Sequence, residues 1–391
     1  MKVPRAAFII SLSSLPSMAR AATVEVATCA DWETAVDATL TEDTTAKVTN
    51  SSFTFADCGE SIFKTLEVKN NDLTLESDVA SLSLVEFLDI RFEVTNNAKL
   101  TFTMDAEFTL TEDKEPEVNG GFLLVENGST ARFNKNLEVT GFRVKCVRDG
   151  DYCGEVFDGG CVWNEGYFRV DGYATFTACD NEKIHDTVPG LGGAIYNGVA
   201  GSILFKGGVT VQDMYINDIG DDNAAIYNAG KINIKGDSVF QDIVANNYDY
   251  TEAGAAIFNE DGANFLFKSG AAATFTGCRG TDKGVGALRN RGRFEFSGPA
   301  NFTLCESAIY NLSPGWITLS DGSVFSQNFD EGPRAGGAIS NLVGATLDVP
   351  EDITFSGNSV EDSPSCENIY FQESEGFSQT DYENEVFTCG P

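Results

Sequence analysis

Apolar and polar residues alternate with a period of two along most of the chain, and one four-residue pattern recurs through it. The pattern is a small residue, an aliphatic residue, a variable residue and Asn, and the Asn stands at positions 164, 197, 228, 259, 290, 311 and 341. The spacings between these Asn residues are 33, 31, 31, 31, 21 and 30. A nearly fixed period of this size indicates a repeat protein that stacks one supersecondary unit on the next.

Each unit contains three short segments of alternating polarity, separated by Gly and Asn, and no helical pattern of ten residues lies between them. The shortest unit, 21 residues, is about the length of one coil of three strands and three turns, so the other units carry a loop before the Asn motif. The pattern predicts a parallel β-helix of about nine to eleven coils with rungs about 4.8 Å apart. A β-propeller, the alternative, needs about forty residues per blade, which the shortest unit cannot supply.

Two apolar positions recur in every unit and are predicted to form inward-facing columns. The Asn of the motif is predicted to form a structural ladder, because its amide bonds both to turn backbone groups and to the Asn above and below. The aliphatic column is Val162, Ile195, Ile226, Ile257, Leu288, Ile309 and Ile339, and the aromatic column is Phe176, Phe240, Phe275, Phe302, Phe325 and Phe355.

The two ends of the chain depart from the repeat. Apolar residues at helical spacing near 31–40, with Asp31 as N-cap, predict a short capping helix over the first rung. The predicted division is a signal peptide at 1–21, an N-terminal cap at 22–65, the parallel β-helix at 66–365 and an acidic, Cys-tethered tail at 366–391.

The first 21 residues are typical of a secretory signal, with Lys2 and Arg5 before an apolar run and a small-x-small pattern at Ala19 to Ala21. No later segment has eighteen consecutive apolar residues, so we expect a secreted protein with no transmembrane segment. The formal net charge of −33 argues against a nucleic-acid partner and predicts that polyanions are repelled.

Ten cysteines after a signal peptide favour disulfides, and the spacing needed for zinc is absent. Cys278 and Cys305 occupy the same position in consecutive coils, so we predict that they are bonded. Cys29 with Cys58 and Cys366 with Cys389 are the expected terminal disulfides, while the pairing among Cys146, Cys153, Cys161 and Cys179 stays open. Candidate N-glycosylation sites are Asn50, Asn127, Asn301 and Asn311.

Two recurring motifs carry a family resemblance. Gly192-Gly193-Ala194-Ile195 and Phe325-Ser326-Gln327-Asn328 have counterparts at 336–339 and 355–358. They resemble the GGAI and FxxN repeats of the polymorphic outer-membrane protein family, over roughly residues 120–365. The resemblance implies a right-handed parallel β-helix displayed outside the cell, often in adhesion.

The variable position of the Asn motif carries the sharpest functional hypothesis. Alternation directs it outward, and it reads Trp163, Tyr196, Tyr227, Phe258, Arg289, Tyr310 and Ser340. Such rings are predicted to stack on sugars, and Arg289 to pair with a carboxylate or sulfate. The alternative interpretation is that the preceding loops bury the rings as a second small core.

A polysaccharide lyase or epimerase is the alternative function, because parallel β-helices commonly carry such enzymes. The dense acids Asp218, Asp221 and Asp222 share one loop, however, away from the Arg289–Arg293 cluster, and the Gly-rich calcium-binding nonapeptide is absent. We therefore expect no cofactor and a non-catalytic extracellular protein with a structural, adhesive or wall-associated role, whose partner is a polysaccharide or a cell surface.

Overall fold

The computed structural model describes residues 22–27, 29–38, 44–48, 64–77, 84–88, 90–110, 121–146, 159–183, 191–217, 224–246, 256–280, 286–330, 337–360 and 368–371. These residues form a right-handed parallel β-helix with three long sheets and one short helix, Cys29–Ala38. The fold predicted from the repeat is confirmed. Along the chain, each coil contributes a strand first to the sheet that we call sheet 3, then to sheet 1 and last to sheet 2.

The strands of each sheet are stacked in parallel, one from each coil. Sheet 1 contains twelve strands: Ala22–Val26, Thr44–Val48, Leu73–Ser77, Lys99–Phe102, Thr130–Phe133, Tyr167–Val170, Ser202–Phe205, Lys231–Ile234, Asn264–Phe267, Arg293–Phe296, Trp316–Thr318 and Thr346–Asp348. Sheet 3 contains eleven: Lys64–Lys69, Ile90–Thr95, Leu123–Val125, Val162–Asn164, Ile195–Asn197, Ile226–Asn228, Ile257–Asn259, Leu288–Asn290, Ile309–Asn311, Ile339–Asn341 and Ile369–Phe371.

Sheet 2 is built in the same way, with short side strands at one corner. Its main strands are Leu84–Leu88, Asp105–Thr109, Leu137–Thr140, Ala174–Thr177, Val209–Asn217, Ser238–Asn246, Ala273–Thr276, Ala300–Thr303, Ser323–Ser326 and Ile353–Ser356. Arg143–Cys146, Asp180–Lys183 and Arg279–Gly280 join it off the main path, and Phe329–Asp330 pairs with Ser359–Val360 as a separate pair.

The core consists of the columns that the alternating pattern predicts. Ile226 is in register with Ile195 and Ile257, and all three are fully buried. In the aromatic column, the rings of Phe275 and Phe302 lie 4.6 Å apart with nearly parallel planes. Stacking of identical side chains on successive rungs therefore gives one continuous apolar interior.

A left-handed residue stands at the corner after sheet 2, two positions beyond the aromatic column. This conformation inverts the alternation, so the following side chain points into the core again, as Cys179 and Asn328 do. The left-handed residues are Gly141, Ala178, Asp213, Asp242, Gly277, Leu304, Gln327 and Gly357, with φ between 50° and 78°.

The β-helix extends beyond both of its predicted boundaries, residues 66 and 365. Ala22–Val26 and Thr44–Val48 already pair in sheet 1, and Ile369–Phe371 extends sheet 3 beyond residue 365. The helix begins at Cys29, so Asp31 lies in its first turn and not at the predicted N-cap position. Its carboxylate accepts a hydrogen bond from the backbone amide of Ala27 at 3.1 Å. Trp32 of this helix is buried in the core, with its ring 6.4 Å from that of Phe87.

One disulfide joins Cys161 to Cys179 and closes a single coil. The predicted bond between Cys278 and Cys305 is wrong for this structure, in which both are free, buried thiols. Each sulfur is directed at a main-chain carbonyl instead: Cys278 Sγ lies 3.7 Å from the Phe240 oxygen, and Cys305 Sγ lies 3.5 Å from that of Thr303. The remaining predicted pairs involve side chains outside the described residues.

The predicted glycosylation sites differ in accessibility. Asn127 is exposed on a turn and Asn301 is half-buried on sheet 2, whereas Asn50 lies outside the described residues. Asn311 is fully buried, and its amide nitrogen donates to Asn341 Oδ1 at 2.8 Å. A buried and hydrogen-bonded amide cannot carry a glycan, so Asn311 is removed from the candidates.

Candidate functional site

The variable position of the Asn motif forms a column on the outer side of sheet 3, as the alternation predicts. Trp163 is in register with Tyr196, and Tyr196 with Tyr227. The rings stack nearly parallel, with centroids 6.0 Å apart for the first pair and 5.5 Å for the second. We call this column, from Trp163 to Ser340, the outer ladder.

The centre of the outer ladder is not open to solvent. Tyr227 is 7% exposed, and Phe258 and Arg289 are 0% exposed. The guanidinium carbon of Arg289 lies 4.7 Å from the centroid of the Phe258 ring. Ala224 belongs to the same small cluster, and Leu191 packs against it. The central side chains therefore form a second core outside the main one and are inaccessible to a polymer in this conformation.

The two ends of the outer ladder differ from its centre. Trp163, Tyr196 and Tyr310 are half-buried, so part of each ring faces solvent, whereas Ser340 is buried. The structure thus brings all the predicted residues into one column, but it leaves only these three aromatic side chains accessible. Sugar stacking on them stays a prediction.

Sheet 1 presents a second outer surface, which the sequence reading did not identify. Between residues 110 and 368, each segment that lies outside the described residues comes after sheet 2 in its coil and before sheet 3. Sheet 1 is reached and left by short turns, such as 198–201 and 206–208. Among the described residues, its outer side between Thr130 and Ser297 is therefore bordered by short turns, and we call this surface, which is rich in Lys and Arg, the basic face.

Cations concentrate on the basic face. Over six rungs the outward positions are the first and third residues of each strand and the residue after the strand. Two of these eighteen positions are acidic, Asp171 and Glu295. Seven are basic: Arg132, Arg169, Lys206, Lys231, Lys235, Lys268 and Arg293.

Asp171 organises one end of the basic face. Its carboxylate accepts hydrogen bonds from Arg132 Nη2 at 2.8 Å and Arg169 Nε at 2.8 Å, and it pairs with Lys206 Nζ at 2.7 Å. Partial burial alone would raise the pKa of Asp171, but the hydrogen bonds from these three cations outweigh it and lower the pKa to about 2. The single carboxylate of Asp171 therefore binds three cationic side chains but neutralises only one positive charge.

The residues weighed for catalysis and metal binding are not assembled in the described structure. Asp218, Asp221 and Asp222 lie outside the described residues, and in the part of the chain that the structure describes no group of three or more His, Cys, Asp or Glu side chains is placed to hold a metal ion. No helix in the described part of the chain is long and apolar enough to cross a bilayer.

Fold and surfaces together define a class: a parallel β-helix with one basic face bordered by short turns and one partly buried aromatic ladder. Comparison of the chain with protein-family models, curated proteins and solved structures gives no match. The likeness of its repeats to those of the polymorphic outer-membrane proteins stays a prediction from the motifs.

Proposed function

We propose that the protein is a secreted, non-catalytic β-helix rod that acts as a structural or adhesive component at a cell surface or wall by binding polysaccharide. The observation that supports this best is the open outer side of sheet 1, where in-register strands form a continuous surface along the rod axis. The geometry of this surface repeats once per rung along the rod axis, and the geometry of a polysaccharide repeats once per sugar along its chain, so the two can lie side by side.

The half-buried side chains of Trp163 and Tyr196 give secondary support, since part of each remains accessible to a sugar, although the two rings stack on one another. Rigidity supports the same role. Amide ladders and stacked rings fix each rung on the next, so little conformational entropy is lost when an extended ligand binds along the rod.

The test is to incubate the purified secreted protein with a panel of neutral and anionic polysaccharides and to measure both binding and chain cleavage. Binding of at least one polymer without new reducing or unsaturated ends supports the proposal. Turnover of any polymer would replace it with the alternative, a lyase or another polysaccharide-active enzyme on the same frame.

A further inference from the structure

The charge of the basic face is opposite to that of the protein as a whole. The chain contains 26 Lys plus Arg against 59 Asp plus Glu, so fewer than a third of its charged residues are cations. On the basic face, seven of the nine charged residues are cations. Neither the core nor the turns require this inversion, because these side chains point to solvent.

Three lysines on this face form a column along the rod axis. The backbone amide of Lys235 donates to the carbonyl of Phe205 at 2.8 Å, and that of Lys268 donates to Ile234 at 2.7 Å, which places Lys206, Lys235 and Lys268 at equivalent positions. Successive members are about 4.8 Å apart at the backbone. Like charges at this spacing repel one another, and an anionic ligand along the column would relieve that repulsion.

Two lysines of the basic face, Lys231 and Lys235, are available for a ligand. Lys206 is paired with Asp171 and Lys268 with Glu295. Lys235 and Lys231 are exposed, on the same coil, and have no ion pair within the described part of the chain. The other five cations of the basic face are paired with Asp171 or Glu295, so Lys231 and Lys235 are the two whose charge the face leaves uncompensated.

An exposed indole continues the basic face toward the C-terminus. Trp316 is in register with Arg293 on the outer side of sheet 1, and it is 52% exposed. The exposed Trp316 beside Arg293 places a flat apolar ring next to a cation, and these are the two kinds of group that an acidic sugar can contact. Indole stacks on a pyranose ring, and a guanidinium binds a carboxylate or sulfate in two places.

From these observations we propose that the basic face is a binding site for an acidic polysaccharide, carrying carboxylate or sulfate groups, which lies along the rod axis. Lys231 and Lys235 bind its anionic groups, together with Arg293, whose exposed guanidinium also pairs with Glu295 at 2.9 Å, and Trp316 stacks on one sugar ring. The site spans six rung intervals of about 4.8 Å from Arg132 to Trp316, a length that holds several sugars. This inference rests on the proposed function and names its ligand class.

The net charge of −33 does not exclude such a site, although it led to the expectation that polyanions are repelled. At physiological ionic strength the Debye length is about 8 Å, so a ligand lying on the face senses mainly the charges of that face. A duplex nucleic acid is less suited, because it carries one charge per about 1.7 Å, whereas five of the seven cations of the basic face are already paired with Asp171 or Glu295.

The test compares the full secreted chain with the variant Lys231→Gln/Lys235→Gln and with the single variant Trp316→Ala. The matched control is Lys69→Gln/Arg279→Gln, which removes two cations from sheets 3 and 2. Each protein is titrated with polygalacturonate, dextran sulfate, uncharged dextran and single-stranded DNA at two salt concentrations. Circular dichroism and urea unfolding verify that every variant is folded.

We expect the wild type and the control to bind an anionic polysaccharide, more weakly at high salt. The Lys231→Gln/Lys235→Gln variant should bind it about tenfold more weakly or worse, the effect of losing one charge-assisted hydrogen bond or more. The two anionic polymers separate carboxylate from sulfate recognition. Trp316→Ala should weaken binding of the polysaccharide with an unchanged salt dependence, because indole carries no charge.

Three results would overturn the inference: equal loss of affinity in the control and the lysine variant, tighter binding of DNA than of either anionic polysaccharide, or no binding of an anionic polysaccharide. If dextran alone binds, the proposed function stands and the assignment of this site fails. Cleavage of a polymer that still requires Lys231 and Lys235 would contradict the non-catalytic function and leave the site in place.

Discussion

Asn259 donates its side-chain amide to Asn290 Oδ1 on the next rung at 2.8 Å and accepts the amide of Asn228 from the previous rung at 2.8 Å. The same bond repeats from Asn164 to Asn341. Each of these buried amides has a second N–H, which donates to a backbone carbonyl oxygen; the one of Asn259 donates to the carbonyl of Arg293. The ladder therefore gives each coil the same turn after sheet 3.

Replacing Asn259 with Ala should lower the free energy of unfolding by about 1–3 kcal/mol, because it leaves buried partners on both neighbouring rungs unsatisfied. Urea unfolding measures the change. Asn127→Ala is the control and should cost less than about 0.5 kcal/mol, since Asn127 is exposed on a turn. Equal effects at the two positions would show that the ladder does not contribute to stability.

Truncation of the aliphatic column should cost more. Ile257→Ala removes buried methylene groups between Ile226 and Leu288 and leaves a cavity, so we expect a loss of about 2–5 kcal/mol. Asp261→Ala on the following exposed turn should change the free energy of unfolding by less than about 0.5 kcal/mol. The reverse order in urea melts would mean that the register is shifted by one residue.

The inward columns could be predicted from the sequence because identical residue types mark them on almost every coil. The corner after sheet 2 could not, because only three of its left-handed residues are Gly, while Ala178, Asp213, Asp242, Leu304 and Gln327 adopt the same conformation without that signal. Contacts with neighbouring rungs impose this backbone, so single-residue preference does not reveal it.

The candidate surfaces show the same division between local and non-local information. The outer ladder was predicted from one repeated motif, and the burial of Phe258 and Arg289 agrees with the alternative interpretation of that motif, but alternation alone does not distinguish a covered ring from an open one. The basic face was missed although Lys206, Lys235 and Lys268 each follow an apolar strand end, because the alignment of these lysines follows only from the register of sheet 1. The net charge is a sum over all faces of the protein, so it does not reveal a basic surface on one of them.

The free thiols give a prediction that separates the structure from the expected disulfide. Burial, together with the neighbouring Cys305, raises the pKa of the Cys278 thiol, so it stays protonated and unreactive in the folded protein. Iodoacetamide at neutral pH should leave Cys278 and Cys305 unlabelled until urea is added, as read by peptide mass spectrometry. Labelling in urea without a reductant confirms free thiols, whereas labelling only after reduction would restore the predicted bond.

The carboxylate of Asp171 should make stability depend on pH in acid. Its pKa, lowered to about 2 in the folded state, is near 3.9 in an unfolded chain, so its stabilising effect is complete above about pH 4 and is lost as the pH falls towards 2. Asp171→Asn should therefore cost about 1–2 kcal/mol at pH 7, a value reduced by solvent screening of the partly exposed cations.

The destabilisation caused by Asp171→Asn should shrink between pH 4 and pH 2, because the wild-type carboxyl group then loses its charge as well. Urea melts of both proteins at pH 7, 4 and 3 measure this difference, and carbon NMR of the labelled carboxyl groups gives the pKa directly. Asp261→Asn, on an exposed turn, controls for general acid effects and should show no such trend. A difference between Asp171→Asn and wild type that stays constant down to pH 3 would mean that the three cations do not hold Asp171 ionised.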